Sequence, residues 1–119
     1  METSEINVFI QHYIVALLWA ETDDNGNPLD GKYSREDISS EAMASIIEDC
    51  QKFVKTNAEL LKDINPEQAG HDFWLTRAGH GAGFWDRGLG KVGDDLTTAC
   101  KAFDDASPLV GDDGKIYLL

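Results

Sequence analysis

A mostly helical α+β fold, about four helices with a small C-terminal β-hairpin, is the architecture this sequence predicts, on three observations. Apolar residues recur at three- and four-residue steps from Ser40 to Leu61. Asn65-Pro66 is a helix start, with a side-chain acceptor followed by a residue that needs no N–H donor. Near the end, two short apolar runs flank Gly111-Asp112-Asp113-Gly114, the chemistry of a tight turn.

Taken in order, the first helix is expected from a cap at Thr3 or Ser4 to about Ala20. Ile6, Phe9, Ile10, Tyr13, Ile14, Leu17 and Leu18 form its inner stripe, while Val8, Val15 and Trp19 make it apolar nearly all round. A helix of that kind is the centre of a small core or half of an interface. Residues 21–35 break every periodicity. Asp23, Asn25 and Asn27 alternate there as in a calcium loop, but an EF-hand requires glycine and glutamate where Pro28 and Ser34 stand, so an acidic solvated loop is expected. The second helix spans Ser40 to Leu61, with Met43, Ile46, Ile47, Cys50, Phe53, Val54, Asn57, Leu60 and Leu61 facing inward. The third runs from Pro66 to about Arg77, with Gln68 placed to complete a capping box, and stops before Gly79. The fourth covers Leu89 to Phe103, with Gly90 and Gly93 weakening its start. Leu109 to Tyr117 supplies the hairpin.

The 119 residues suit a single domain, 1–119, and the apolar fraction of 42% can build one core without staples. Lys and Arg number 10 against 22 Asp and Glu, a net charge of −12. Direct nucleic-acid binding and membrane-surface binding are not expected, because both polyanions require Lys and Arg to displace counterions. Cys50 and Cys100 fall on apolar stripes and read as buried free thiols of a reducing compartment. The apolar run Val8 to Trp19 is interrupted by Gln11 and His12 and preceded by Glu2 and Glu5, so neither a membrane span nor a secretory signal is expected, and the location reads as cytoplasmic.

Chemistry concentrates between Gly70 and Gly93. Seven of the eleven glycines lie there, with Trp74, Trp85, His71 and His80. Arg77, Arg87 and Lys91 outweigh Asp72 and Asp86, so the segment is locally positive in an acidic chain. Glycines alternating with His80 and Ala82 give a backbone able to present N–H groups together, an anion-binding geometry. Phe-Trp occurs twice, each time with an arginine close behind that could stack on the rings. Phe73, Leu75 and Phe84 argue for burial of Trp74 and Trp85.

The run HDFWLTRAGHGAGFWDRG, with the trailing GDDGKIY, resembles a family of small acidic proteins of tailed bacteriophages and prophages. An early ALLWAETDD element and a PLD…Y…EDI stretch accompany it. Family members often carry Asn where this chain has Ala78. The resemblance implies a phage protein in a bacterial host cytoplasm. It implies no mechanism and no catalytic residues.

No metal is expected: His71, His80, Asp72 and Asp86 lack a recognised ligand spacing. Thr76 or Cys100 near His80 lacks the strand-turn-helix frame of a nucleophile, and the glycine segment lacks the lysine of a nucleotide loop, so no catalytic set and no cofactor are expected. Two functions follow, the first preferred and the second its alternative. In the first, the protein binds and modulates a host or phage protein, for instance as an anti-defence inhibitor, through a nucleic-acid-like acidic surface of Asp23, Asp24, Asp30, Glu36 and Asp37. In the second, it is a small-ligand-binding or hydrolytic domain with its site in residues 71–87. His80, Arg87, Arg77, His71, Trp85 and Asp86 are the candidate contacts for a ligand or partner in that segment. Convergence of His80, Arg77 and Arg87 on an open cleft would favour the second reading.

Overall fold

The computed structural model describes residues 1–104 and 106–119, and it is mostly helical with a two-stranded C-terminal hairpin. Helix α1, Thr3–Ala20, begins one residue earlier than its expected caps. Glu2 occupies the cap instead, and its N–H donates to the Glu5 carboxylate at 3.1 Å. Phe9, Ile10, Tyr13, Ile14, Ala16, Leu17 and Leu18 are buried. Val8, Val15 and Trp19 project outward, and Trp19 is 59% exposed.

Beyond α1 the chain turns through residues 21–39. Asp23 Oδ1 accepts the N–H groups of Asn25 and Asn27 at 2.9 and 3.0 Å, so this carboxylate shapes the turn itself. Leu29 anchors the loop in the core. Helix α2, Ser40–Thr56, is capped by Ser39, whose Oγ accepts from Ala42 N–H at 3.1 Å.

The expected continuous helix to Leu61 breaks at Asn57. That side chain donates to Phe53 O at 2.9 Å, beside the backbone N–H at 3.0 Å, and the residue leaves helical geometry at φ −114°. Asn and its relatives compete with the helix for backbone groups in this way. A single further turn, α3 (Ala58–Leu61), brings Leu61 into the core.

Helix α4, Pro66–Arg77, starts as expected, with Asn65 Oδ1 accepting from Glu67 N–H at 2.8 Å. Gln68 does not close a capping box; its amide donates down the helix to Asp72 at 3.0 Å. The helix ends in a Schellman motif. Gly79, at φ +77°, lets His80 N–H reach Leu75 O (3.0 Å) and Gly79 N–H reach Thr76 O (3.2 Å).

Helix α5 is shorter than expected, Lys91–Cys100 rather than Leu89–Phe103. Gly90 at φ +61° delays its start, and i to i−3 bonds from Lys101, Ala102 and Phe103 unwind its end into turns. Strands β1 (Pro108–Val110) and β2 (Ile116–Leu118) pair antiparallel, with Leu109 opposite Tyr117. Ile116 is buried and bridges to Ile38, and its carbonyl accepts from Ser39 N–H, so the hairpin is tied to the start of α2.

The principal packing is α1 on α4. Gly70 makes it possible: a Cβ there would overlap the carbonyl of Phe9 in α1. At this crossing Phe53 and Phe73 stack at 4.1 Å between centroids, and Phe9, Tyr13, Trp74, Phe84 and Phe103 surround them. Burial of such rings dominates the stability of a small core.

Candidate functional site

Residues 79–90 leave the end of α4 and fold back over it. Phe84 is the anchor: its ring is buried in the aromatic core, and its N–H donates to Thr76 Oγ1 at 3.1 Å. A 3₁₀ turn, Phe84–Asp86, follows, and Asp86 Oδ1 accepts from Gly83 N–H at 3.0 Å. Trp74 is fully buried as expected. Trp85 is not: the turn that inserts Phe84 sends the next side chain outward, and Trp85 is 49% exposed.

Two carboxylates clamp this loop to the helices. Asp72 on α4 is 1% exposed and holds Arg87, whose Nη2 and Nε donate at 2.8 and 3.1 Å, while Gln68 donates to the same oxygen. Those bonds satisfy a carboxylate that could not otherwise be buried. The contact raises the Arg87 pKa, chiefly through the hydrogen bond to Asp72. Glu21, the residue after α1, accepts from Trp74 Nε1 at 2.9 Å and from His80 Nε2 at 2.5 Å. A carboxylate only accepts, so Nε2 of His80 is the donor in this contact.

Above these clamps lies an open groove of about 740 Å³ lined by Trp19, Ala20, His71, Leu75, His80, Gly81, Ala82 and Arg87. It adjoins a second hollow of about 360 Å³ that shares His71 and Arg87 and adds His12, Glu67 and Gln68. His71 lines both, with His80 in the groove and His12 in the second hollow. His71 packs on Trp19 at 5.8 Å between ring centroids, and its Nδ1 is buried without a hydrogen-bond partner among the described residues. Burial lowers its pKa below the usual histidine value, against the opposing pull of Asp72.

The remaining sequence candidates lie elsewhere. Arg77 does not join His80 and Arg87. Its side chain is 7% exposed, paired with Asp49 at 2.7 Å, bonded to Tyr13 Oη and Asp104 O, and set over the Phe103 ring. Neither arginine stacks on a Phe-Trp pair, one of the arrangements open to them: Arg77 lies over Phe103, and Arg87 is held by Asp72. Trp85 and Asp86 do not line the groove. In the acidic segment, Asp37 accepts from Ser34 N–H and Glu36 from Ser34 Oγ, while Asp24 and Asp30 are exposed.

Sequence reasoning missed Glu21 and Trp19 as site residues. Their signal was faint: a carboxylate and an indole at the end of an apolar helix, partnered across more than fifty residues of chain.

Chemically, the trough offers hydrogen-bond donors beside an apolar wall. The hydroxyl of Thr76 is engaged by Phe84, and both cysteines are buried, with the Cys100 thiol pushed up to about 12 by burial. Among the described residues no group of three or more His, Cys, Asp or Glu is arranged to hold a metal ion. No described helix is long and apolar enough to cross a membrane. The chain matches no protein-family model, no curated protein and no solved structure.

Proposed function

We propose that this chain is a small-ligand-binding domain whose site is the groove between the end of α1 and the 79–90 loop. One observation carries the reading: His71, His80 and Arg87, far apart in sequence from Trp19, converge with it on one open concavity. Pockets that combine an apolar wall with a few converging polar groups are the usual form of a ligand site. The resemblance to phage proteins sets the context, a bacterial host cytoplasm. The test is a fragment screen by amide NMR on the wild-type protein and on Trp19→Ala. Binders should shift the resonances of residues 71 and 80–82, and Trp19→Ala should weaken them without lowering the melting temperature. Binders that map elsewhere would sink the reading.

A second reading, modulation of a host or phage protein such as a defence factor, is favoured by two surface features. Val8, Val15 and Trp19 form an exposed apolar stripe on α1, and Asp24, Asp30 and Glu36 present negative charge on the following segment. Here a partner retrieved from host lysate by the wild type should be lost with Val15→Lys or with the triple change Asp24→Asn, Asp30→Asn, Glu36→Gln. Retention by both variants would rule that surface out.

A further inference from the structure

Resting on the ligand-binding reading, we infer that the groove takes a small organic oxyanion, a carboxylate or phosphate monoester carried on a flat apolar group. The Asp72 carboxylate faces inward onto Arg87 and Gln68, and Glu21 onto Trp74 and His80. Asp86 is engaged by the Gly83 N–H and lies 3.8 Å from Arg87 Nε. Asp72, Glu21 and Asp86 are therefore engaged by the protein's own donors, while Glu67 lines the adjoining hollow and not the groove itself. Beside the groove, Arg87 and the backbone of residues 81–82 keep donors that make no hydrogen bond among the described residues.

Arg87 uses Nε and Nη2 on Asp72, and its Nη1 makes no hydrogen bond among the described residues. The backbone N–H groups of Gly81 and Ala82, both on the groove wall, likewise find no partner among the described residues. Consecutive free N–H groups beside a guanidinium form the concavity in which oxyanions bind. The imidazoles of His71 and His80 border the same space.

The opposite wall specifies the rest of the ligand. Trp19 is 59% exposed, and Ala20, Leu75 and Ala82 complete an apolar surface beside it. An indole face left open next to anion donors suits a flat apolar ring bearing the charged group. A bare anion would leave that wall wet, and a neutral ring would leave the donors unpaired. The chain's overall charge of −12 acts at long range and is screened beyond about 8 Å at physiological salt, so the local donors decide the contact.

The experiment titrates the full chain with phenyl phosphate, benzoate, phenol and inorganic phosphate, at about 0.15 M salt, following amide and indole NMR signals. Phenyl phosphate or benzoate should shift Gly81, Ala82 and the Trp19 indole together, and bind about tenfold more tightly than phenol or phosphate. Preference for one of the two anions identifies whether the headgroup is a phosphate or a carboxylate. Arg87→Lys, which keeps the charge against Asp72 but loses the second fork, should weaken the anion and leave phenol unchanged. Phenol binding in the groove as tightly as its phosphate would overturn the oxyanion while leaving a ligand site there. Phosphate binding as tightly as phenyl phosphate would overturn the role of the ring. Absence of any groove shift with all four probes would overturn both this inference and the reading beneath it.

Discussion

Three basic side chains of the 71–87 segment illustrate how residue-level roles separate by burial and partner. Arg77 is enclosed, and its guanidinium joins α2, α1 and the stretch after α5 through Asp49, Tyr13 and Asp104. Truncation leaves Asp49 and the Asp104 carbonyl without their donor. Arg77→Ala should therefore lower unfolding free energy by about 3 kcal/mol, measured by urea titration, and Arg77→Lys should recover little because an ammonium cannot span those acceptors. Arg87 has a partner in Asp72 and an open edge, so it holds the loop while part of its guanidinium stays accessible. His71 gives a pH signature. Burial holds its pKa below the ordinary 6.5, so as pH falls through 6.5 the denatured chain takes up the proton before the native one. Stability from this group is complete above 6.5 and is lost as pH drops toward the lowered native value. His71→Gln should flatten the fall in urea midpoint across that window; an unchanged slope would assign the pH dependence to other groups.

Among the elements, the groove depends on how closely α1 and α4 approach. Gly70 sets that distance, because any side chain there meets the backbone of Phe9, which cannot swing aside. Gly70→Ala should destabilise the domain by about 3 kcal/mol, at the upper end for overpacking. It should also disturb the groove, since Trp19 and Ala20 sit on one helix and His71 and Leu75 on the other. Gly81 is the control: a Cβ there meets nothing within 4 Å. Gly81→Ala should stay within about 0.5 kcal/mol of wild type in urea unfolding. Equal losses from the two substitutions would contradict the proposed division between a packing glycine and a surface one.

For the whole molecule, the described residues form one compact body with a radius of gyration of 13.9 Å, close to the about 13.5 Å expected for its length. Its charge is unevenly arranged. Most acidic side chains are on the surface, whereas Glu21 and Asp72 are drawn in to hold the loop. An acidic protein thereby brings His71, His80 and Arg87 around one groove, so the local character of the groove differs from that of the molecule.

The helices were legible because each is specified locally. The 3.6-residue apolar period marked α2, Asn65-Pro66 marked the start of α4, and Gly79 marked its end. Where the reading failed, competition between nearby groups decided: Asn57 bonding Phe53 ended α2 early, and Gly90 delayed α5. The chemistry-bearing segment was also visible as the cluster of Gly, His, Trp and Arg between residues 70 and 93. Composition could not assign those residues to one side or the other. Which tryptophan is buried depends on the turn that inserts Phe84, and which arginine reaches the groove depends on whether Asp49 or Asp72 lies opposite it. Periodicity, caps and turn residues act over a few positions, so the elements and the unusual composition of residues 70–93 can be read locally. The groove cannot, because it is made of pairs such as Glu21–His80 whose members lie on different elements and meet only when α1 packs on α4.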